Sequence, residues 1–307
     1  MRKTRPLILI AALLCATVVN ADIDIRQEHV FDASPGQTVS IDVSFHRVEV
    51  IVQPGSEVHA VVELSTNSSS RKAEKAMEEL APVFQEKGGT LVIRSTRKGG
   101  WNWSSGKLKG RVSVTMPPDL DLSIDSSSGS ITIDGDLGDG SVDCDASSGS
   151  ITIRGAMKNL TVDTSSGTTK VDLLRPVESF SADASSGGIR LYGGAYEASV
   201  DTSSGSITLE GLRGDASMDA SSGSITAQWD SIPPNAEIDV DASSGSVTIK
   251  LPPGTEVTGS ASTGSGSNIR SDFPGSFERD SATFNGGPGA VDVRISTSSG
   301  SIKVLEE

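Results

Sequence analysis

The residues of this chain with the most chemical potential are aspartates, serines and threonines that return at nearly constant intervals. The phrase DASSGSITI, from Asp145 to Ile153, has close copies beginning at Asp125, Asp201, Asp219 and Asp241. Aligning on the glycine gives an acid column of Asp125, Asp145, Asp163, Asp183, Asp201, Asp219 and Asp241, each four residues before its glycine. Repeated carboxylates can accept hydrogen bonds from turn amides, hold a hard cation, or work in pairs on a glycosidic bond. Calcium takes roughly six to eight oxygens, and the G-G-x-G-x-D phrase of calcium-loaded β-rolls is absent, so amide capping at a corner is the favoured role. The pairs Asp143 with Asp145 and Asp239 with Asp241 could act as catalytic carboxylates, but they belong to the repeating pattern that a catalytic pair should break. His29, His46 and His59 all precede the repeats without H-x-x-x-H spacing, and there is no G-x-S-x-G elbow. The expectation is a protein with no enzymatic activity, no cofactor and no metal centre.

Two further groups suggest binding. Trp101 and Trp103, in KGGWNWSSGK, share one face of an extended segment and could stack on a sugar or peptide. The competing role is to fold back as apolar cover over the end of the repeats. After each glycine come hydroxyls such as Ser150 with Thr152 and Ser224 with Thr226, a column suited to ice or a regular polysaccharide. Lys170 and Arg190 interrupt it, and hydroxyls are also ordinary outward strand residues.

The elements that must carry these residues follow from the spacing. The glycines Gly129, Gly149, Gly167, Gly187, Gly205, Gly223 and Gly245 lie 20, 18, 20, 18, 18 and 22 residues apart. Gly264 follows after 19, and Gly300 after a further 36, room for one degenerate copy near Ala282. Five residues before the glycines stand Ile124, Cys144, Val162, Ala182, Val200, Met218 and Val240; two after them stand mainly Ile, with Thr169 and Val247. These are inward faces of two short strands, and the parity change between them makes Ser-Ser-Gly a corner. A repeat of ~19 residues is too short for a propeller blade and fits one coil of an all-β, single-stranded β-solenoid, or β-helix. Stacked parallel coils explain why the turns are nearly identical; an antiparallel hairpin sheet does not.

Residues 119–307 are therefore read as the solenoid. Residues 22–118 do not repeat; they form an N-terminal β region in which RKAEKAMEELAPVF predicts one helix over about 71–81, capped by Ser70, stopped by Pro82 and covering the solenoid end. Residues 1–21 read as a signal peptide, with Arg2, Lys3 and Arg5 before an apolar run and cleavage after Ala21. Removing its three basic residues takes the net charge from −14 to −17, which argues against nucleic acid or an anionic membrane as partner. It also leaves Cys144 without a partner for a disulfide. A soluble, exported chain is expected, in the periplasm, on the cell surface or secreted, with no membrane span. The last strand, SIKVLEE, is expected at a sheet edge, where Glu306 and Glu307 discourage pairing.

In order along the chain, FDASPGQTVSIDV, TLVIRSTRKGGWNW, VTMPPDLDLSIDSSSGSITI, GSGSNIRSDFP and GGPGAVDVRISTSSGSIKV resemble a family of bacterial envelope proteins called adhesins by analogy of fold. The resemblance covers most of the chain after the leader. It implies a β-helix-like fold, export, no cofactor and no catalytic residues, with an envelope or extracellular protein or glycan as partner.

Overall fold

The computed structural model describes residues 23–68, 71–95, 108–264 and 268–307. The leader, Ser70 and the Trp101–Trp103 segment lie outside the described residues. The chain is all-β and β-solenoid-like: two facing sheets, of 13 and 14 strands among the described residues, enclose one continuous apolar core.

The N-terminal part contributes β1 (Ile23–Asp32), β2 (Thr38–Val43), β3 (Arg47–Val52), β4 (Glu57–Thr66), α1 (Arg71–Leu80), β5 (Val83–Lys87), β6 (Thr90–Arg94) and β7 (Leu108–Met116). Seven two-strand rungs follow. They are β8 (Asp121–Ser126) with β9 (Ile131–Asp136), β10 (Val142–Ser148) with β11 (Ile151–Ala156), β12 (Asn159–Ser166) with β13 (Thr169–Leu173), and β14 (Val177–Ser186) with β15 (Ile189–Tyr192). The remaining three are β16 (Ala195–Ser204) with β17 (Ile207–Leu212), β18 (Asp215–Ser222) with β19 (Ile225–Trp229), and β20 (Glu237–Ser244) with β21 (Val247–Leu251). The chain closes with β22 (Val257–Thr263), β23 (Ile269–Ser271), β24 (Gly275–Phe277), β25 (Ser281–Asn285), β26 (Val291–Ser299) and β27 (Ile302–Glu306).

Alternation of side-chain types makes these segments strands. In β20, Ile238, Val240 and Ala242 are buried while Glu237, Asp239 and Asp241 face out. Rung pairs with rung in parallel and in register: Cys144 opposes Ile124 and Val162, and Ile151 opposes Ile131 and Thr169. Like therefore packs on like, each buried aliphatic side chain contributing about 1.5–3 kcal/mol. The interior also takes Trp229, whose indole nitrogen donates to the Gly214 carbonyl at 2.8 Å. A smaller cluster of Leu64, Met77, Leu80 and Ala81 seats α1 beside β1 and β4.

The corner contains a feature that composition does not reveal. From Gly149 to Gly245 the corner glycines have φ between +137° and +158°, and each is stacked on the glycine before it. A Cβ on Gly187 would lie 1.6 Å from the Gly167 carbonyl oxygen, and one on Gly223 would lie 1.7 Å from that of Gly205. Left-handed backbone and close approach thus both demand glycine.

Neither end follows chain order. The 14-stranded sheet runs β24-β25-β22-β26-β20 at one end, and the 13-stranded sheet runs β21-β27-β23. The C-terminal rung, β26 with β27, is inserted between the β20–β21 rung and the earlier-made β22–β23 rung. The expectation of a terminal edge strand is thereby corrected: β27 pairs in parallel with β21 on one side and β23 on the other. So is the expected coil near Ala282, which lies in β25, antiparallel to β22, rather than in a parallel rung. The N-terminal end mirrors this arrangement. There β6 and β7 lie outside β2 and β3, and antiparallel β5, β4 and β1 complete the edges.

Candidate functional site

The in-register rungs bring the acid column together as a straight ladder on the outer face of the 14-stranded sheet. Asp125, Asp145, Asp163, Asp183, Asp201, Asp219 and Asp241 oppose one another in sequence, and all are exposed. The ladder is longer than the repeats indicate. Asp42 on β2 opposes Asp125, and Arg94 on β6 closes that end, opposite Asp42 and 2.9 Å from its carboxylate. At the other end Asp241 meets Ser296. The shared Ser-Ile-Asp of residues 40–42 and 123–125 was the available signal for Asp42.

The aspartates do not hold the corner as expected. The Gly149 amide donates to the Ser166 carbonyl at 3.0 Å, Gly187 to Ser204 at 2.8 Å and Gly245 to Ser299 at 2.9 Å. Next-rung carbonyls satisfy these donors, leaving the carboxylates directed at solvent. Asp125, Asp163 and Asp201 are held above the usual carboxylate range, first by partial burial and then by neighbouring aspartates of the column. Among the described residues no three His, Cys, Asp or Glu side chains converge on a metal-sized site.

The outer face of the 13-stranded sheet carries the hydroxyl column. Thr132 opposes Thr152, then Lys170 and Arg190 follow, then Thr208, Thr226 and Thr248. Lys170 is drawn into contacts of its own, 3.0 Å from Asp172 and 6.0 Å from the Tyr192 ring centre. The two faces therefore differ: one is a line of like charge, the other a hydroxyl strip broken by two cations.

The histidines are not brought to the acid ladder. His29 stacks on Phe84 at 5.1 Å, and exposed His59 sits 3.2 Å from Glu57. His46 is buried without a hydrogen-bond partner at either ring nitrogen, and burial lowers its pKa to about 4. It occupies the corner position of the β2–β3 rung: a Cβ on Gly129 would strike its carbonyl, and one on Gly110 its ring. A cleft of about 700 Å³ opens at this end of the 13-stranded sheet, lined by Asp24, Arg26, Arg47, Glu63, Lys109 and Arg111 among others. Its charges compensate: Glu63 opposes Arg26 and Arg111, and Arg111 also bonds Glu49.

Parallel stacked rungs, glycine corners and outward ladders define a β-solenoid-like repeat protein. The chain belongs to the Toastrack DUF4097 family, whose pattern matches residues 38–305. Among solved structures it is similar to a candidate lipid-binding protein from Parabacteroides distasonis, at 16% identity over 91% of this chain and 96% of that one, with a TM-score of 0.50. It also resembles a candidate adhesin from Bacteroides fragilis, at 13% identity over 91% and 96% with a TM-score of 0.47. A candidate adhesin from Parabacteroides distasonis aligns at 15% identity over 91% and 96%, TM-score 0.44. No curated protein matches the sequence.

Proposed function

We propose that this chain is a non-enzymatic binding scaffold of the bacterial envelope, adhesin-like, presenting an acidic ladder and a hydroxyl strip to an envelope or extracellular protein or glycan. In this reading the repeated part is a single-stranded β-solenoid of ~19-residue coils. The N-terminal β strands with α1, and the hairpin β24–β25, serve as its end caps. The reading also places the chain outside the cytoplasm, in the periplasm or at the cell surface, after loss of residues 1–21. No helix among the described residues is long and apolar enough to cross a membrane.

The observation that carries the proposal is the unbroken register from Asp42 to Asp241, which fixes carboxylates at about 4.8 Å intervals on a rigid face. A lipid-binding role fits less well, because the space between the sheets is filled by buried side chains and leaves no room for an acyl chain. The test is retention of purified envelope proteins and glycans on the immobilised chain, compared with a variant carrying Asp145→Asn, Asp183→Asn and Asp219→Asn. Salt-sensitive retention lost in the variant supports the ladder as the binding face; equal retention by both removes it. The alternative, envelope sensing or maintenance through another bacterial protein, predicts capture of one protein and no glycan. Release of reducing ends from any polysaccharide in the panel would instead establish an enzyme.

A further inference from the structure

Strand β1 ends the 13-stranded sheet. It pairs with β4 from Ile23 to Asp32, and among the described residues no strand pairs with its other side. Ten residues is long for an edge strand; natural sheets usually shorten, bulge, charge or cover their edges, and here α1 packs beside β1 while Asp24, Arg26, Glu28 and Asp32 charge it. The other outermost strands are shorter: β5 has five residues, and β23 and β24 have three each. Along β1, Asp24, Arg26 and Glu28 face out, while Ile25, Gln27 and His29 are partly buried on the inner side.

Read against itself in the opposite direction, this strand is self-complementary about Gln27. With Gln27 opposite Gln27 of the partner subunit, Arg26 faces Glu28 of the partner subunit, and the reciprocal pair forms across the two-fold axis. On the inner side Ile25 meets His29 of the partner subunit. Moving the axis one residue either way sets Glu28 against a second Glu28, or Arg26 against a second Arg26; moving it two residues matches charge again, Asp24 with Arg26 of the partner subunit or Arg26 with Asp32 of the partner subunit, but pairs fewer residues of the strand, so the Gln27 register is the longest that charge allows.

We infer that the chain forms a two-fold dimer by antiparallel β1–β1 pairing centred on Gln27. Two acid ladders then belong to one assembly, joined at their N-terminal ends.

The test is sedimentation velocity of the purified chain over a concentration series. The expected result is a concentration-dependent rise to twice the monomer mass, lost in Glu28→Arg and restored in the double variant Arg26→Glu, Glu28→Arg. Both positions are exposed, and circular dichroism checks that the variants fold. Register is tested by oxidation: Gln27→Cys gives a disulfide-linked dimer, whereas Val30→Cys, opposite Asp24 of the partner subunit, does not. The native Cys144 is buried and does not compete. A monomer at every concentration, a dimer indifferent to Glu28→Arg, or equal cross-linking at the two positions overturns the inference. A monomer would leave the β1 edge to a strand from a different protein.

Discussion

Gly187 shows what a repeated corner demands of one residue. At φ +137°, with the Gly167 carbonyl oxygen 1.6 Å from where its Cβ would lie, it has no room for alanine. Gly187→Ala is expected to cost more than about 3 kcal/mol in urea unfolding, because backbone strain and a clash with main chain add. Gly36→Ala, at φ +78° with nothing within 4 Å, should cost about 1–2 kcal/mol. His46 titrates in the opposite sense from the usual stabilising histidine. Its folded-state pKa of about 4 lies below the ordinary 6.5, so the unfolded chain binds the proton first as pH falls. Stability should therefore drop by about 3 kcal/mol between pH 6.5 and 4, and His46→Leu should remove this slope in urea titrations at pH 7 and 4.5. The ladder behaves inversely. Asp125, Asp163 and Asp201 have folded-state pKa values raised above their unfolded ones, first by partial burial and then by neighbouring aspartates, so this cost is present at neutral pH and relieved as pH falls through the carboxylate range. Asp183→Asn, which removes a neighbour of both Asp163 and Asp201, should raise stability by a few tenths of a kcal/mol at low salt and less at high salt, read in thermal unfolding as a small rise in melting temperature. The aspartate column was legible in the sequence; its role was not, because rung-to-rung carbonyls are main-chain atoms that leave no residue signature.

Elements in the middle of the chain were readable for a physical reason. A parallel rung repeats its environment, so each inward column is written again every turn, and Ile124, Cys144, Val162 and their successors declare the strands. The ends obey different rules. Antiparallel β1, β4, β5, β24 and β25 have no like neighbour to copy, so their pairing leaves no period. The C-terminal rung was misplaced for a subtler reason: RISTSSGSIKV carries the ordinary repeat, yet β26 sits between β20 and β22 rather than beyond β22. Nothing local distinguishes those two slots. The consequence is that the last residues hold the end of the molecule together. Ending the chain at Ala290 removes β26 and β27, which bury Val293, Ile302 and Val304, and leaves β22–β23 without the rung they pair with. Limited trypsin digestion should then cut rapidly between Lys250 and Arg279 while the rungs from β8 to β19 stay protected. Equal resistance in the intact and shortened chains would show that the inserted rung is dispensable.

At the scale of the whole molecule, the properties follow from translation along one axis. Two sheets share a core, every interior rung meets its neighbours over the same columns, and outward residues are forced into lines. A formal charge of −14 is therefore partly concentrated in a ladder about 34 Å long rather than scattered. That arrangement underlies the proposed binding role, and pairing through β1 would double it. The most direct measurement is the distance between spin labels on exposed serines of the corner column, placed in pairs by Ser147→Cys with Ser221→Cys, Ser243→Cys or Ser298→Cys. In-register stacking predicts separations of about 19, 24 and 29 Å, one rung spacing apart, with position 298 immediately beyond 243 because β26 lies next to β20. Separations that fail to increase by a constant step, or a position 298 standing two or more rungs beyond 243, would contradict the stacked architecture.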